Sequence, residues 1–286
     1  MSVVFVPPDA IHSKYVFQSW PDWYPGLSED AARESLFHET ERLRRWYPDM
    51  LRSQSPYSEA PCGYVAAYMP RGYYWLYRVV RSVKDEGRLR SLLKRARSVL
   101  VLGCGPAPEL WFLACYLNPD AVVTFVDRDM AVWQRFIRRF TVPLVREARG
   151  LFGQELPVLQ FMSGGHDSVI RARSFDLILA QQFLNELAAL KASPYRGRQV
   201  VASIVSEWQR SLLSRDGAIV VVDNDPDDKR LPAIEAELPS GTCRRGLLPS
   251  LHVRYPSELV RWLTGHWGRF VARRNTKTSY VVVYGC

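Results

Sequence analysis

The chain has 286 residues, of which 47% are hydrophobic, and this composition excludes a wholly disordered protein. Its formal net charge of +9 favours contact with polyanions such as RNA, or with an anionic surface. The five cysteines include no C-x-x-C pair and no signal-peptide or membrane-spanning pattern is present, so we expect a cytoplasmic protein without a metal site or a disulfide framework.

The first part of the chain predicts an arm followed by a helix. Residues 1–26 are rich in proline and tryptophan, and we predict an irregular arm there. Ser28 suits a helix N-cap and is followed by two acidic residues, so a helix is predicted from there to about Trp46. Residues 47–62 have the proline and serine content of a loop.

The next helical stretch has one apolar face and is otherwise basic. The apolar face is formed by Tyr73, Leu76, Tyr77, Val80 and Val83. The cations are Arg78, Arg81, Lys84, Arg88, Arg90, Lys94, Arg95 and Arg97. This stretch is either a solvated helix face or a surface that binds RNA. In the second case nearby tyrosines would stack on bases, and in the first they are core residues: Tyr64, Tyr68, Tyr73 and Tyr74.

Residues 98–110 read SVLVLGCGPAPEL, in which 98–102 suit a strand buried on both faces and are followed by a glycine loop and a helix start. This arrangement holds nucleotide-like cofactors at the carboxyl end of a parallel strand. A dinucleotide site has a third glycine where this chain has Pro108, which disfavours a dinucleotide, and the alternatives are another nucleotide-like cofactor and an ordinary strand-to-helix turn. The loop residues predicted to contact the cofactor are Gly103, Cys104, Gly105 and Pro106.

Polar residues follow three further predicted strands at the same edge of the sheet. The strand at 121–126 ends in Asp127, a carboxylate suited to accept both hydroxyls of a ribose, with a helix N-cap as the alternative role. The strand at 158–162 leads into a loop that reaches toward the adenine, and the strand at 175–180 ends at the ligand crevice. The predicted cofactor site therefore also includes Asp127, Arg128, Asp167 and Gln181.

The remaining pattern completes an α/β fold. Helices are predicted at 109–117, 130–140, 199–213 and 258–265, with a fifth strand at 218–222. Residues 226–250 are predicted to be a variable insert, and two strands at 269–273 and 280–284 to be a terminal hairpin. We thus predict a doubly wound, mostly parallel, seven-stranded sheet with an antiparallel C-terminal hairpin and a helical N-terminal extension.

From Ser98 onward the chain resembles the class I S-adenosylmethionine-dependent methyltransferases. The glycine loop is similar to that family's first motif, L-G-x-G-P-G-x-E, although Ala107 replaces a glycine and Val101 stands where many members carry an acid. The resemblance implies a Rossmann-like methyltransferase domain at 96–286. It also implies a helical extension at 1–95 that acts as a substrate cap.

A narrower stretch resembles the methyltransferase-like proteins that assemble the small ribosomal subunit. The matching residues are Tyr68, Met69 and Pro70 before the first motif, and Asn185, Glu186 and Leu187 after the fourth strand. The cysteine cluster of those proteins, which holds an iron–sulfur centre, is missing here. This resemblance implies an RNA or ribosomal acceptor.

Candidate catalytic residues follow the fourth strand: Gln182, Asn185 and Glu186. Their alternative role is to start or decorate a helix. No D-P-P-Y or N-P-P-Y motif occurs there, which disfavours an enzyme that methylates exocyclic amines of nucleic acids in that way. Three functions stay open: a methyltransferase for RNA or a ribosomal particle, a methyltransferase for a small molecule or protein, and a non-catalytic binding protein with this fold.

Overall fold

The computed structural model describes residues 6–46, 59–151, 155–169, 174–183, 194–224, 230–248 and 278–285. The sheet of this described part has seven strands in the order β3-β2-β1-β4-β5-β7-β6. The strands are β1 (Ser98–Leu102), β2 (Val122–Asp127), β3 (Val158–Ser163), β4 (Phe175–Gln181), β5 (Leu213–Asn224), β6 (Cys243–Leu248) and β7 (Thr278–Tyr284).

Strands β1 to β5 pair in parallel, and β7 is antiparallel to both of its neighbours. The order reverses at β1, which lies between β2 and β4, so Leu102 is level with Val126 on one side and Ala180 on the other. In open α/β sheets ligands bind outside the carboxyl ends of the strands at such a reversal. The predicted fold class is confirmed.

The alternation of side chains along β1 explains why both faces of the sheet are buried. Val99 and Val101 join one apolar cluster, while Leu100 and Leu102 join a second cluster on the other face. The first cluster includes the helices before β1 and those between β1 and β3. The second includes Trp208 from the helix between β4 and β5.

The helices, numbered in chain order, flank this sheet. Before β1 lie α1 (Pro8–Trp23), α2 (Glu29–Trp46), α3 (Pro61–Ala67), α4 (Met69–Ser82) and α5 (Glu86–Arg95). Between β1 and β3 lie α6 (Leu110–Tyr116), α7 (Met130–Phe136), a π-helical turn (Ile137–Thr141) and α8 (Val142–Ala148). The later helices are α9 (Pro194–Ser211) and α10 (Arg230–Glu237).

The prediction of an irregular arm at 1–26 is wrong, because α1 occupies most of it. Pro7 and Pro8 stand at the N-cap and first helical position, where the missing N–H costs no hydrogen bond. His12 is buried, its Nδ1 lies 2.8 Å from the Tyr73 hydroxyl, and its ring packs edge-on against Phe140. These contacts from distant parts of the chain hold α1 in place, and local composition does not reveal them.

Two predictions about α4 and the C-terminal region are corrected. Tyr77 was placed on the apolar face of α4, but it is 38% exposed and Val79 is buried instead. Residues 226–250 are not merely an insert, because α10 and β6 lie within them. β6 pairs with β7 in antiparallel orientation, so residues 243–248 form the edge strand next to β7. The predicted strand 269–273 and helix 258–265 lie outside the described residues.

Helix α4 packs directly on the loop after β1. A Cβ atom added at Gly72 would overlap the ring of Pro108. The described helices include no segment that is both long and apolar enough to cross a lipid bilayer.

We predict that Gly72→Ala lowers the free energy of unfolding by about 1–3 kcal/mol, because the added methyl group forces α4 away from Pro108. The matched control is Gly87→Ala in α5, where an added Cβ meets no atom within 4 Å. It should change stability by at most about 1 kcal/mol in the favourable direction. Urea unfolding of both variants checks this, and equal destabilisation would contradict the packing described.

We predict that buried His12 makes the stability of the folded chain sensitive to acid. Burial lowers the pKa of His12 from 6.5 to about 4. Between these values the unfolded chain takes up a proton that the folded chain does not, so the contribution of His12 to the free energy of unfolding falls as the pH falls from 6.5 toward 4, by about 3 kcal/mol in total. Urea unfolding at several pH values should show this change in the difference between the wild type and His12→Gln, while the control His38→Gln, whose histidine is exposed, should follow the wild type. A wild-type slope retained in His12→Gln would contradict the assignment.

Candidate functional site

The backbone of the loop after β1 is tied to the end of β2. The Gly103 N–H donates to the Val126 carbonyl at 2.9 Å, and the Gly105 N–H donates to Asp127 Oδ2 at 3.0 Å. Both glycines have positive φ, +61° and +48°, a conformation that side chains disfavour. The tips of the first two strands are thus joined at the position where the cofactor is predicted.

The carboxylate of Asp127 is held by two backbone N–H groups. Besides Gly105, the Asp129 N–H donates to Oδ1 at 2.9 Å. A carboxylate has about four acceptor positions, so two remain for the hydroxyls of a ribose. Burial raises the pKa of Asp127 above its usual value, although the two N–H donors act in the opposite direction. Asp129, and not Asp127, is the residue that precedes α7 as its N-cap.

The two glycines of the loop have different surroundings. A Cβ at Gly103 would overlap the ring of Phe183, so the protein's own packing requires a glycine there. A Cβ at Gly105 would meet only Tyr64 Cε1, at 3.7 Å, which is an ordinary contact. Gly105 is itself buried, and protein atoms leave room beside its Cα for a group the size of a methyl.

Two buried polar side chains near this loop have unpaired atoms. Glu109 is 2% exposed and Gln181 is 7% exposed. Among the described residues, Glu109 Oε2 and both amide atoms of Gln181 find no hydrogen-bond partner. Gln181 follows Ala180, which is level with Leu102, so it lies beside Gly103. Leaving such groups unpaired costs stability, so these two side chains suit polar groups of a ligand.

Glu109 also has a strongly altered acidity. Burial raises its pKa from 4.5 to about 8. The same carboxyl and Asp127 help to raise the pKa of the neighbouring thiol of Cys104, for which burial is the main cause. The prediction that Glu109 belongs to the first helical turn is close, since it directly precedes α6. Because it is buried with one carboxyl oxygen unpaired among the described residues, Glu109 is a further candidate site residue, beyond those predicted from the sequence.

Two predicted loop residues face the protein interior. The side chain of Cys104 is buried, and its Sγ lies 3.5 Å from the Gly105 carbonyl. The carbonyl of Pro106 accepts a hydrogen bond from Thr141 Oγ1 at 2.6 Å. These residues shape the loop, and the Cys104 thiol is not placed for chemistry with a ligand.

The predicted adenine side of the site lies beside Asp127. Arg128 is exposed, and its carbonyl accepts from Ser163 Oγ at 3.2 Å. The Gly164 N–H donates to the Asp127 carbonyl at 3.1 Å. Asp167 is exposed in a short 3₁₀ turn directly after β3. The structure thus brings these predicted residues to one edge of the sheet.

The predicted catalytic segment is described only at its start. Gln182 has a φ of +56°, and its N–H donates to the Val222 carbonyl at 2.8 Å. Within the described part, its buried Nε2 has no hydrogen-bond partner. Asn185 and Glu186 lie outside the described residues. Catalytic roles for these three side chains therefore stay predictions.

Of the tyrosines before β1, some pack in the core and others lie beside the glycine loop. Tyr73 is fully buried beside His12, and the Tyr74 hydroxyl donates to Asp9. Tyr64 and Tyr68 stack on each other with ring centroids 5.7 Å apart, and Tyr64 is the residue that faces Gly105. Tyr73 is therefore a core residue, whereas Tyr64 lies next to the candidate site.

No family model matches this sequence, and no curated protein matches it. An rRNA methylase from Streptococcus thermophilus is similar in structure, with 13% identity, 70% of this chain and 93% of that chain covered, and a TM-score of 0.41. An O-methyltransferase family protein from Burkholderia thailandensis has 14% identity, coverage of 97% and 71%, and a TM-score of 0.44. An N-methyltransferase from Bradyrhizobium japonicum, in complex with S-adenosyl-L-homocysteine, has 10% identity, coverage of 86% and 98%, and a TM-score of 0.40.

These similarities concern the fold alone, and the fold assignment depends on the strand order and on the antiparallel β7. The switch point at β1, the glycine loop and the carboxylate after β2 lie at one edge of that sheet. The chain has the fold of the class I S-adenosylmethionine-dependent methyltransferases.

Proposed function

We propose that this chain binds S-adenosylmethionine at the ends of β1 and β2 and transfers its methyl group to RNA. The observation that carries the proposal is the Asp127 carboxylate, held at the glycine loop by the N–H groups of Gly105 and Asp129. A fixed carboxylate with two acceptor positions left is suited to the two hydroxyls of an adenosine ribose. The fold supports the same cofactor.

The buried polar groups fit the charge of this cofactor. When bound, S-adenosylmethionine supplies an electrophilic methyl group on a positively charged sulfonium. Glu109 offers a carboxyl oxygen without a partner among the described residues, and it lies near the Cys104 thiol of the glycine loop. Because Val101 stands where many members of the fold family have an acid, we propose that Glu109 supplies the missing negative charge.

We propose RNA as the acceptor because of the positive net charge of the chain. The net charge of +9 favours a polyanion, and RNA binding would depend strongly on salt. Gln182, Asn185 and Glu186 are proposed to orient the acceptor. Transfer to a sulfonium methyl needs an aligned nucleophile and exclusion of water more than it needs an acid or base. We also propose that residues 1–95 form a helical cap over the substrate and that the protein is cytoplasmic.

Transfer of radiolabelled methyl groups tests the reaction directly. We expect label from S-adenosylmethionine to appear in RNA when the full chain is incubated with total RNA from the source cells. Label that appears only in protein or in small molecules would move the assignment to another acceptor. No transfer, with cofactor binding retained, would favour the non-catalytic binding protein.

Asp127→Ala should weaken the affinity for S-adenosylhomocysteine at least about tenfold, because hydrogen bonds to a charged group contribute about 1.5–3 kcal/mol each. Isothermal titration calorimetry measures this. The matched control is Asp120→Ala, an exposed aspartate that faces Arg97 at 3.5 Å, and it should bind like the wild type. Thermal melting confirms that both variants are folded. An Asp127→Ala variant with wild-type affinity would remove the ribose assignment.

Glu109→Gln should make the cofactor-free protein more stable at alkaline pH. Because the folded pKa is about 8 and the usual value 4.5, the unfolded chain releases its proton first, and stability falls as the pH rises through this window. The substitution removes a loss on the order of 4 kcal/mol above pH 8. Urea unfolding between about pH 5 and pH 9 measures it.

The same variant tests the cofactor role of Glu109. Binding of the cationic S-adenosylmethionine at pH 7 should release a proton from the wild type, seen as a dependence of the binding enthalpy on the buffer. Glu109→Gln should bind more weakly and release none. Glu237→Gln, an exposed control at the end of α10, should behave as the wild type. Equal proton release by Glu109→Gln would show that this carboxyl does not face the cofactor's charge.

A further inference from the structure

A second basic surface lies on α7 and the π-helical turn, outside the Arg78–Arg97 stretch. Arg135, Arg138 and Arg139 are all exposed there. Their spacing of three and four residues places them on one side of the helix. With Ala131 and Gln134 they line a shallow depression of about 320 Å³. We call these three side chains the α7 arginine face.

The α7 arginine face keeps its charge available. None of its three guanidinium groups forms an ion pair with a described residue. Asp22 lines the adjacent small cavity together with Arg135 and Arg139, and it is the carboxylate that lies at the edge of the face. The face therefore has a net positive charge that a phosphate backbone would complement.

The Arg78–Arg97 stretch differs, because some of its cations face carboxylates of described residues. Arg90 pairs with Glu86, Arg97 faces Asp120, and the Arg88 guanidinium lies 3.9 Å from the centre of the Tyr284 ring. Three exposed cations of that stretch serve as the comparison with the α7 arginine face: Arg81, Lys84 and Lys94. Acidic residues are interspersed there, whereas residues 130–146 contain none.

Local contacts hold the α7 arginine face in position. The Arg138 guanidinium lies 5.2 Å from the centre of the Phe161 ring, and the Gln134 amide lies beside it, where its oxygen would accept from Nη2 at 3.0 Å once turned toward Arg138. At the end of the π turn, Thr141 is bonded to the Pro106 carbonyl of the glycine loop. Planar guanidinium groups that are oriented in advance suit bidentate contacts to phosphate.

The surroundings of the face favour RNA over a membrane or a protein. The large apolar side chains that are exposed in the described part of the chain are Leu27, Tyr77, Val158 and Leu247, and none lies on α7 or the π turn. A membrane-binding helix needs an apolar face, and a protein interface has an apolar centre. Arginines around a polar depression instead match the phosphate contacts that dominate RNA affinity.

We propose that the α7 arginine face binds the phosphate backbone of the RNA substrate. This inference rests on the RNA acceptor of the proposed function. At about 1.5 Å per residue, the three arginines follow Asp129 by about 9–15 Å along the helix axis. RNA bound there would extend from the ribose carboxylate Asp127 along the flank of the sheet.

The test compares two variants with the same loss of charge in the full chain. One replaces the α7 arginine face (Arg135→Gln, Arg138→Gln, Arg139→Gln), and the control replaces the exposed cations of α4 and α5 (Arg81→Gln, Lys84→Gln, Lys94→Gln). Fluorescence anisotropy with a labelled single-stranded RNA is measured between about 50 and 200 mM salt. The first variant should bind at least about tenfold more weakly, and its salt slope should fall by about 2. The control should lose less on both measures.

Equal losses in the two variants would overturn the placement on α7. Competition by polyglutamate as effective as by unlabelled RNA would overturn RNA as the ligand and favour an acidic protein. A wild type that binds no RNA even at low salt would also overturn the inference. Calorimetry with S-adenosylhomocysteine on the same samples shows separately whether the cofactor part of the proposed function stands. Should the triple variant fail to fold, Arg139→Glu takes its place, and unchanged RNA affinity of that variant would count against the face.

Discussion

The fixed carboxylate of Asp127 is the interaction on which the site depends. It joins the glycine loop after β1 to the start of α7, because one oxygen accepts from Gly105 and the other from Asp129. The parallel pairing of β1 with β2 brings these groups together at the reversal of strand order. The fold thereby places an oriented carboxylate and a glycine loop at one edge of the sheet, the arrangement that suits binding of a nucleoside.

The same edge contains polar groups that reduce the stability of the folded chain. Glu109 and Gln181 are buried and keep unpaired side-chain atoms among the described residues. The partly buried carboxyl of Glu39, by contrast, accepts from the Gly63 N–H at 2.8 Å and from the Tyr24 hydroxyl at 2.7 Å. Proteins tolerate unpaired buried groups mainly where function requires them. A ligand bound at the glycine loop would complete the hydrogen bonds of Glu109 and Gln181.

Much of this architecture is predictable from local sequence, and the exceptions have physical causes. Strand β1 was predicted with its exact limits, 98–102, because a continuous apolar run beside a glycine loop identifies a buried parallel strand. Helix α1 was missed because its prolines dominate the local pattern, while its stability comes from distant contacts such as His12 with Tyr73. Strand β6 contains two arginines and a glycine, so only its pairing with β7 reveals it. The burial of the Glu109 side chain likewise depends on tertiary packing, and the local sequence gives only its position in the first motif.

A crystal structure of the chain soaked with S-adenosylhomocysteine tests the account most directly. The account predicts that the adenosine crosses the tip of β1, with both ribose hydroxyls within hydrogen-bond distance of the Asp127 carboxylate and the ligand against Gly105. Clear density for the ligand at any other place, or a saturated soak that leaves this edge filled only by protein side chains, would contradict it.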